Sequence, residues 1–145
     1  AMPHSKPQLA RAVLEGVALN LRLILDALRS SIGTSEPPMR AIRLIGGGGK
    51  SSLWPQMLAD CFALPIHQLS LTSEATSWGA AMAAGVAVGL YDWSLAAQRV
   101  TVTDVINPTP QGTALYNELT AIYADAYRAL EPIYTRLAAF GRSAG

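Results

Sequence analysis

One cysteine, two histidines and a charged fraction of only 14% set the first limits on this chain. A lone Cys61 rules out a disulfide framework and a cysteine-based metal cluster. On a helical pattern it reads as a small core residue, in keeping with a reducing cytoplasm. His4 stands in an aperiodic start and His67 in an apolar strand, and no Asp, Glu or Cys spacing joins them into a metal site. The net charge is +1 and the basic residues are scattered, so the footprint of a nucleic-acid binder is missing. The opening residues carry no secretory pattern. Leu9 to Leu28 is aliphatic but interrupted by Arg11, Glu15, Arg22 and Asp26, and Gly79 to Leu90 is too short to span a bilayer and reads as a buried helix. No Gly-x-Ser-x-Gly elbow is present, which removes the usual signature of a serine hydrolase. There is no internal repeat.

Half of the 145 residues are hydrophobic, enough for a real core in a one-domain length. Such low charge fits a surface hidden against another domain or subunit, or simply an Ala-rich helical protein. Residues 1–7 lack periodicity and read as an unstructured start or an expression remnant. Leu9, Val13, Val17, Leu21, Ile24, Leu28 and Ile32 then recur at helical steps on one face. Gly16 lies near that face, where a close packing contact is expected, and Gly33 is the expected stop. Glu36-Pro37-Pro38 reads as a turn and Ala41 to Ile45 as a short strand. Gly46 to Gly49 follow, then a helix from about Ser52 to Ala63 with Ser51 or Ser52 as cap and Pro55 in its first turn. Pro65 to Leu69 reads as a second strand. After an entrance at Thr72-Ser73-Glu74, a helix from Ala75 to Val88 is built of small residues that suit tight packing. A short helix at Ser94 to Gln98, an extended linker at Asn107 to Pro110 and a last helix from Gly112 to Phe140, kinked at Pro132, complete the pattern.

Strands alternating with helices argue for an α/β sheet. Two strands are too few to stand alone, so the chain reads as the second half of such a domain, completed by strands elsewhere or by a second copy. Open sheet edges favour self-association.

The most informative stretch is Ile42-Arg43-Leu44-Ile45, then Gly46 to Gly49, then Lys50-Ser51-Ser52. Glycines let backbone approach a ligand closely, and the following helix start offers free N–H groups and a positive dipole end. Together they suit a phosphate. The stretch is not a P-loop, because Leu44 stands where the first glycine must be. It is not a dinucleotide fingerprint either, since Ser51 or Ser52 takes the last glycine's place. A plain flexible turn is the competing reading.

The chain resembles the C-terminal part of the FGGY carbohydrate kinases, most closely the xylulose kinases. Four segments match in order. Gln8-Leu9-Ala10-Arg11-Ala12-Val13-Leu14-Glu15 resembles the closing half of the second family signature. Leu44 to Ser51 resembles the adenosine-binding motif, a hydrophobic strand then Gly-Gly-Gly-Ala-Lys/Arg-Ser. Glu74-Ala75-Thr76-Ser77-Trp78-Gly79-Ala80-Ala81 resembles a helix start written Glu-Ala-Thr-Ala/Ser-Leu-Gly-Ala-Ala. Tyr116, Leu119, Tyr123, Tyr127 and Leu130 resemble the final helix. Gly49 departs from the usual Ala, which should loosen the loop, and Trp78 from the usual Leu.

The resemblance implies the C-terminal half of a ribonuclease-H-like domain of the actin–hexokinase superfamily, helix-rich with a small sheet. It implies ATP-dependent phosphorylation of a sugar hydroxyl by a longer protein. Gly46, Gly47 and Gly48 would bind the nucleotide through backbone N–H groups, and Ser51 would lie near the adenosine while also capping a helix. Lys50 reads as solvated more than phosphate-binding, and Glu74 as a helix-entry residue. The sugar site, the aspartate base and the groups that place Mg2+ would lie in an N-terminal domain outside this chain, which would be inactive alone. No catalytic residue and no metal ligand is assigned here, and no membrane or nucleic-acid partner. A non-catalytic binding or oligomerisation module that kept the fold is the alternative.

Overall fold

A computed structural model of the chain describes residues 4–32, 38–70 and 74–143. The expected stop at Gly33, the turn at Glu36-Pro37 and the helix entrance at Thr72-Ser73 lie outside the described residues. Helix α1 (Lys6–Ile32) leads to strand β1 (Ile42–Leu44), a 3-10 turn (Gly47–Lys50) and helix α2 (Trp54–Phe62). Strand β2 (Ile66–Leu69), helices α3 (Ala75–Ala87) and α4 (Trp93–Arg99), strand β3 (Val102–Ile106) and helix α5 (Pro110–Ser143) follow. Helix α1 starts two residues before Gln8, so Lys6 and Pro7 belong to it.

The sheet has three strands, not two, in the order β1-β2-β3. The first pair is parallel and the second antiparallel. Sequence reading left β3 out, although Val102-Thr103-Asp104-Val105-Ile106 is strongly β-branched. Ile42, Ile66 and Ile106 form one row across all three strands, and Leu44, Gln68 and Asp104 another. The core packs there, with Met57, Leu58, Cys61 and Phe62 of α2 against Ile66 and the partly buried Ile42, Leu44 and Ile106. Ala18, Leu19 and Leu25 of α1 and Tyr116 of α5 close it from the far side.

That burial corrects the reading of α1. Leu9, Val13, Val17, Leu21, Ile24, Leu28 and Ile32 are all exposed, from 39% at Leu21 to 69% at Val13. The face turned inward carries Ala18, Leu19 and Leu25 together with Arg22, whose guanidinium donates to the Cys61 carbonyl and is paired with Asp26. Periodicity found an apolar stripe; the chain's own helices pack on the neighbouring face. Nor is there a close contact at Gly16, where an added Cβ would meet nothing within 4 Å. Helix α3 departs in the same way. Only Met82 and Gly85 are buried, and Ala80, Ala81, Ala83 and Ala84 are exposed. Its tight contact is with Tyr91, whose ring lies where a Gly85 Cβ would be and whose hydroxyl donates to the Ala81 carbonyl at 3.0 Å. Helix α5 is continuous through Pro132, and beyond Tyr123 its apolar residues Leu130, Ile133, Tyr134 and Leu137 face outward.

The junction of α2, β3 and α5 is built on Asp60, whose carboxylate is buried. Its Oδ1 accepts from the Thr109 amide at 2.6 Å, the Thr109 hydroxyl at 3.1 Å and the Gln56 amide at 3.1 Å. The Thr109 oxygen in turn accepts from the Gly112 amide at 3.1 Å. Thr109 is therefore the N-cap of α5 with Pro110 at its first position. A Cβ on Gly112 would fall 2.4 Å from the Asp60 carboxyl. Burial pushes the Cys61 thiol up to about 11 from 9.0 and the Tyr116 hydroxyl up to about 12 from 10.0. Glu15, which accepts from the Tyr116 hydroxyl at 3.1 Å, adds to the second shift.

Two outcomes are expected. Asp60→Ala orphans the donors of the Thr109 and Gln56 groups and lowers stability by about 2–3 kcal/mol in urea unfolding; an unchanged midpoint would remove Asp60 from this role. Both raised groups are neutral in the folded state. Their contribution is complete below pH 9 and is lost as pH rises toward 11 and 12. Thermal melts should therefore fall above pH 9, with Cys61→Ala flattening the first part of the fall.

Candidate functional site

The glycine run lies where β1 hands over to α2, at the carboxyl ends of two parallel strands, the usual place for a ligand crevice in an α/β sheet. Gly46 has φ +88° and ψ −176°, a region open essentially to glycine alone. It swings the chain out of the sheet and into the 3-10 turn, whose first bond runs from the Gly49 amide to the Gly46 carbonyl at 3.1 Å. The amides of Gly46, Gly47 and Gly48 precede that bond, so the turn supplies them no carbonyl. An added Cβ on Gly47 would meet nothing within 4 Å, so this part of the loop faces open space. On Gly48 it would meet the Trp54 ring at 3.0 Å, so the indole supports the loop from below.

Two side chains fix the far end of the loop. Gln68 of β2 donates through Nε2 to the Gly49 carbonyl at 2.7 Å. The Ser51 oxygen accepts from the amides of Leu53 at 3.3 Å and Trp54 at 3.2 Å, so it meets the leading amides of α2 from two residues ahead of Leu53, which holds the N-cap position. The four glycines are thus an ordered turn. Gly49 leaves room for the alanine of the resembling motif, because a Cβ there would meet only Leu44 at 3.9 Å.

A cavity of about 400 Å³ opens beside the loop. Gly49, Lys50, Ser51 and Ser52 form one wall, Pro55 and Gln56 the floor, and Gln68, Asp104 and Ile106 the wall from the sheet. Of the residues singled out from sequence, Ser51 lines the cavity, whereas Gly46, Gly47 and Gly48 lie on the loop leading to it. Gln56, Gln68 and Asp104 were missed. Gln68 could have been found as a polar residue on the strand face that otherwise carries Ile66. Asp104 could not be placed without β3. Trp78 is half-buried, and Tyr116 belongs to the core while Tyr127 and Tyr134 are exposed. Among the described residues no three metal-ligating side chains converge, and no helix is long and apolar enough to cross a membrane.

Comparison with known proteins agrees with this layout. Residues 1–88 match the C-terminal domain model of the FGGY family of carbohydrate kinases. Over 143 residues the chain is 30% identical to the gluconokinase of Bacillus licheniformis, covering 98% of this chain and 27% of that protein. Over 127 residues it is 32% identical to a xylulose kinase of Staphylococcus epidermidis, covering 86% and 25%. The ligand-bound xylulose kinase from Lactobacillus acidophilus shares the fold with a TM-score of 0.74 at 32% identity, over 94% of this chain and 27% of that one. The chain spans about a quarter of the length of the curated relatives it matches. The α/β, helix-rich, small-sheet architecture is that of the actin–hexokinase class of ribonuclease-H-like domains to which those kinases belong.

The two ends of the loop should answer differently to the same substitution. Gly46→Ala forces a side chain into a glycine-only region and costs about 1–3 kcal/mol. Gly49→Ala has room and restricts the unfolded chain, so it stabilises by about 0.4–1 kcal/mol. Urea midpoints of the two variants decide; equal losses would mean that the loop does not hold this shape.

Proposed function

Because this chain belongs to the FGGY family of carbohydrate kinases, we propose that it is the part of a sugar kinase that holds ATP. The observation that carries the reading is the ordered glycine turn between β1 and α2, whose first bond comes only at the Gly49 amide, with open space above Gly47. Phosphoryl transfer is mostly positioning and charge stabilisation. Here the Gly47 and Gly48 amides donate to phosphate oxygens, helped by the positive end of α2. Ser51 accepts hydrogen bonds from two amides ahead of α2 and keeps its own hydroxyl proton to donate to the nucleotide. Gly46 sets the angle of the turn. The γ-phosphate then passes to a hydroxyl of a sugar, with D-xylulose as the first substrate to test in the full-length protein. Magnesium bound with the nucleotide neutralises phosphate charge and is held mainly by groups outside this chain. The sugar and the base that deprotonates it are assigned there too, so this chain alone turns over no sugar.

The experiment is calorimetric titration of the chain with ADP and magnesium, run beside Gly47→Val. A Cβ at position 47 touches no atom of the protein within 4 Å, so the variant keeps the fold and obstructs only a ligand. Binding that weakens at least about tenfold in the variant, or about 1.4 kcal/mol, supports the reading. Equal binding by both proteins, or none by either, overturns it for this chain.

A further inference from the structure

The cavity beside the glycine turn has a chemical polarity that the phosphate reading does not use. At one end Gly49, Lys50, Ser51 and Ser52 line it, where the turn runs into the start of α2 and the backbone presents positive partial charge. At the other end is Asp104, an exposed carboxylate in the middle of β3. It faces Gln68 across the β2–β3 ladder, and both side chains line the cavity. Each has one polar atom already assigned. Gln68 spends Nε2 on the Gly49 carbonyl at 2.7 Å, which orients its amide and leaves Oε1 as an acceptor. Asp104 receives the Val105 amide on Oδ1 at 2.8 Å and keeps Oδ2 for a ligand. The sheet wall therefore offers two acceptors, Gln68 Oε1 and Asp104 Oδ2, beside the second N–H of Gln68, and one of the acceptors is a full negative charge.

A phosphate cannot be bound there without like-charge repulsion. A neutral group rich in N–H or O–H donors can. We propose that Asp104 and Gln68 form the nucleoside end of this site. They accept hydrogen bonds from the neutral donors of the bound nucleotide, its ribose hydroxyls or its exocyclic amine, and so fix the direction in which it lies. The inference rests on the nucleotide reading above and adds an orientation and two recognition residues to it. The volume of about 400 Å³ is of the size that ligand clefts have.

The probes are ADP, 2′-deoxy-ADP, inosine diphosphate and inorganic pyrophosphate, titrated into the chain, Asp104→Ala and Asp104→Asn. Among the described residues Asp104 makes no hydrogen bond to another side chain, and melting curves check that each variant stays folded. Asp104→Ala is expected to weaken ADP about tenfold, the effect of one charge-assisted hydrogen bond, and to leave pyrophosphate unchanged. Asp104→Asn, which keeps an acceptor, should recover part of the loss. A deficit for 2′-deoxy-ADP that disappears in Asp104→Ala assigns the ribose as the donor, and the same pattern for inosine diphosphate assigns the amine. If Asp104→Ala leaves ADP unchanged or tightens it, the orientation is wrong and Asp104 lies near phosphate or outside the site. If the unaltered chain binds pyrophosphate but not ADP, the phosphate turn stands and the nucleoside end falls. If it binds neither, both readings fall together.

Discussion

Asp60 is the contact on which the placement of the other elements depends. A carboxylate out of water is stable only when its lone pairs are met, and here the donors come from three places: α2 itself through Gln56, and the backbone and hydroxyl of Thr109. Thr109 cannot satisfy Asp60 unless α5 begins at Pro110, and α5 cannot come so close unless residue 112 is glycine. The negative charge also sits at the amino end of α5, where the helix dipole favours it. One side chain thus sets where β3 ends, where α5 starts and how α2 lies across the sheet. Gln56 reaches the Asn107 carbonyl as well, which ties the same turn of α2 to the exit from β3.

The position of α2 decides the shape of the glycine turn. Its first residue, Trp54, supports Gly48 and donates its amide to Ser51, which belongs to the loop itself. From the other side Gln68 holds Gly49 to the central strand. The loop is therefore gripped at both ends and open in the middle, at Gly47. Glycine supplies permission for this conformation, while neighbours from the helix and the sheet impose it.

Most elements were legible because their period or punctuation was local: the helical repeat of α1 and α5, the glycines after β1, Ser51 before α2. The third strand was equally local in its β-branched residues, but Val102 to Ile106 lacks a period-two alternation. Other features were not written locally at all. Asp60 reads as an ordinary polar residue of an amphipathic helix, because its main partner lies 49 positions away. The stripe from Leu9 to Ile32 announces an apolar side, yet periodicity says nothing about whether the same chain provides a cover for it. Burial went instead to Ala18, Leu19 and Leu25, with Arg22 accommodated by Asp26 and a carbonyl of α2. For α3 the small residues promised tight packing, and the structure grants it at Gly85 alone.

The way α3 and α4 are joined to the sheet gives them an independence of their own. Ser70 and Thr101 stand side by side where the excursion leaves β2 and returns to β3. The Ser70 amide donates to the Thr101 carbonyl at 2.9 Å, and the Thr101 amide to the Ser70 hydroxyl at 3.3 Å. In antiparallel strands such a pair of neighbours is also what a tight hairpin would begin from. The helical arm therefore hangs from a closed gate, and the ladder, the buried carboxylate and the glycine turn make no demand on its length. In modular terms the arm is an excursion hinged on this one pair, and the sheet keeps its register on either side of it.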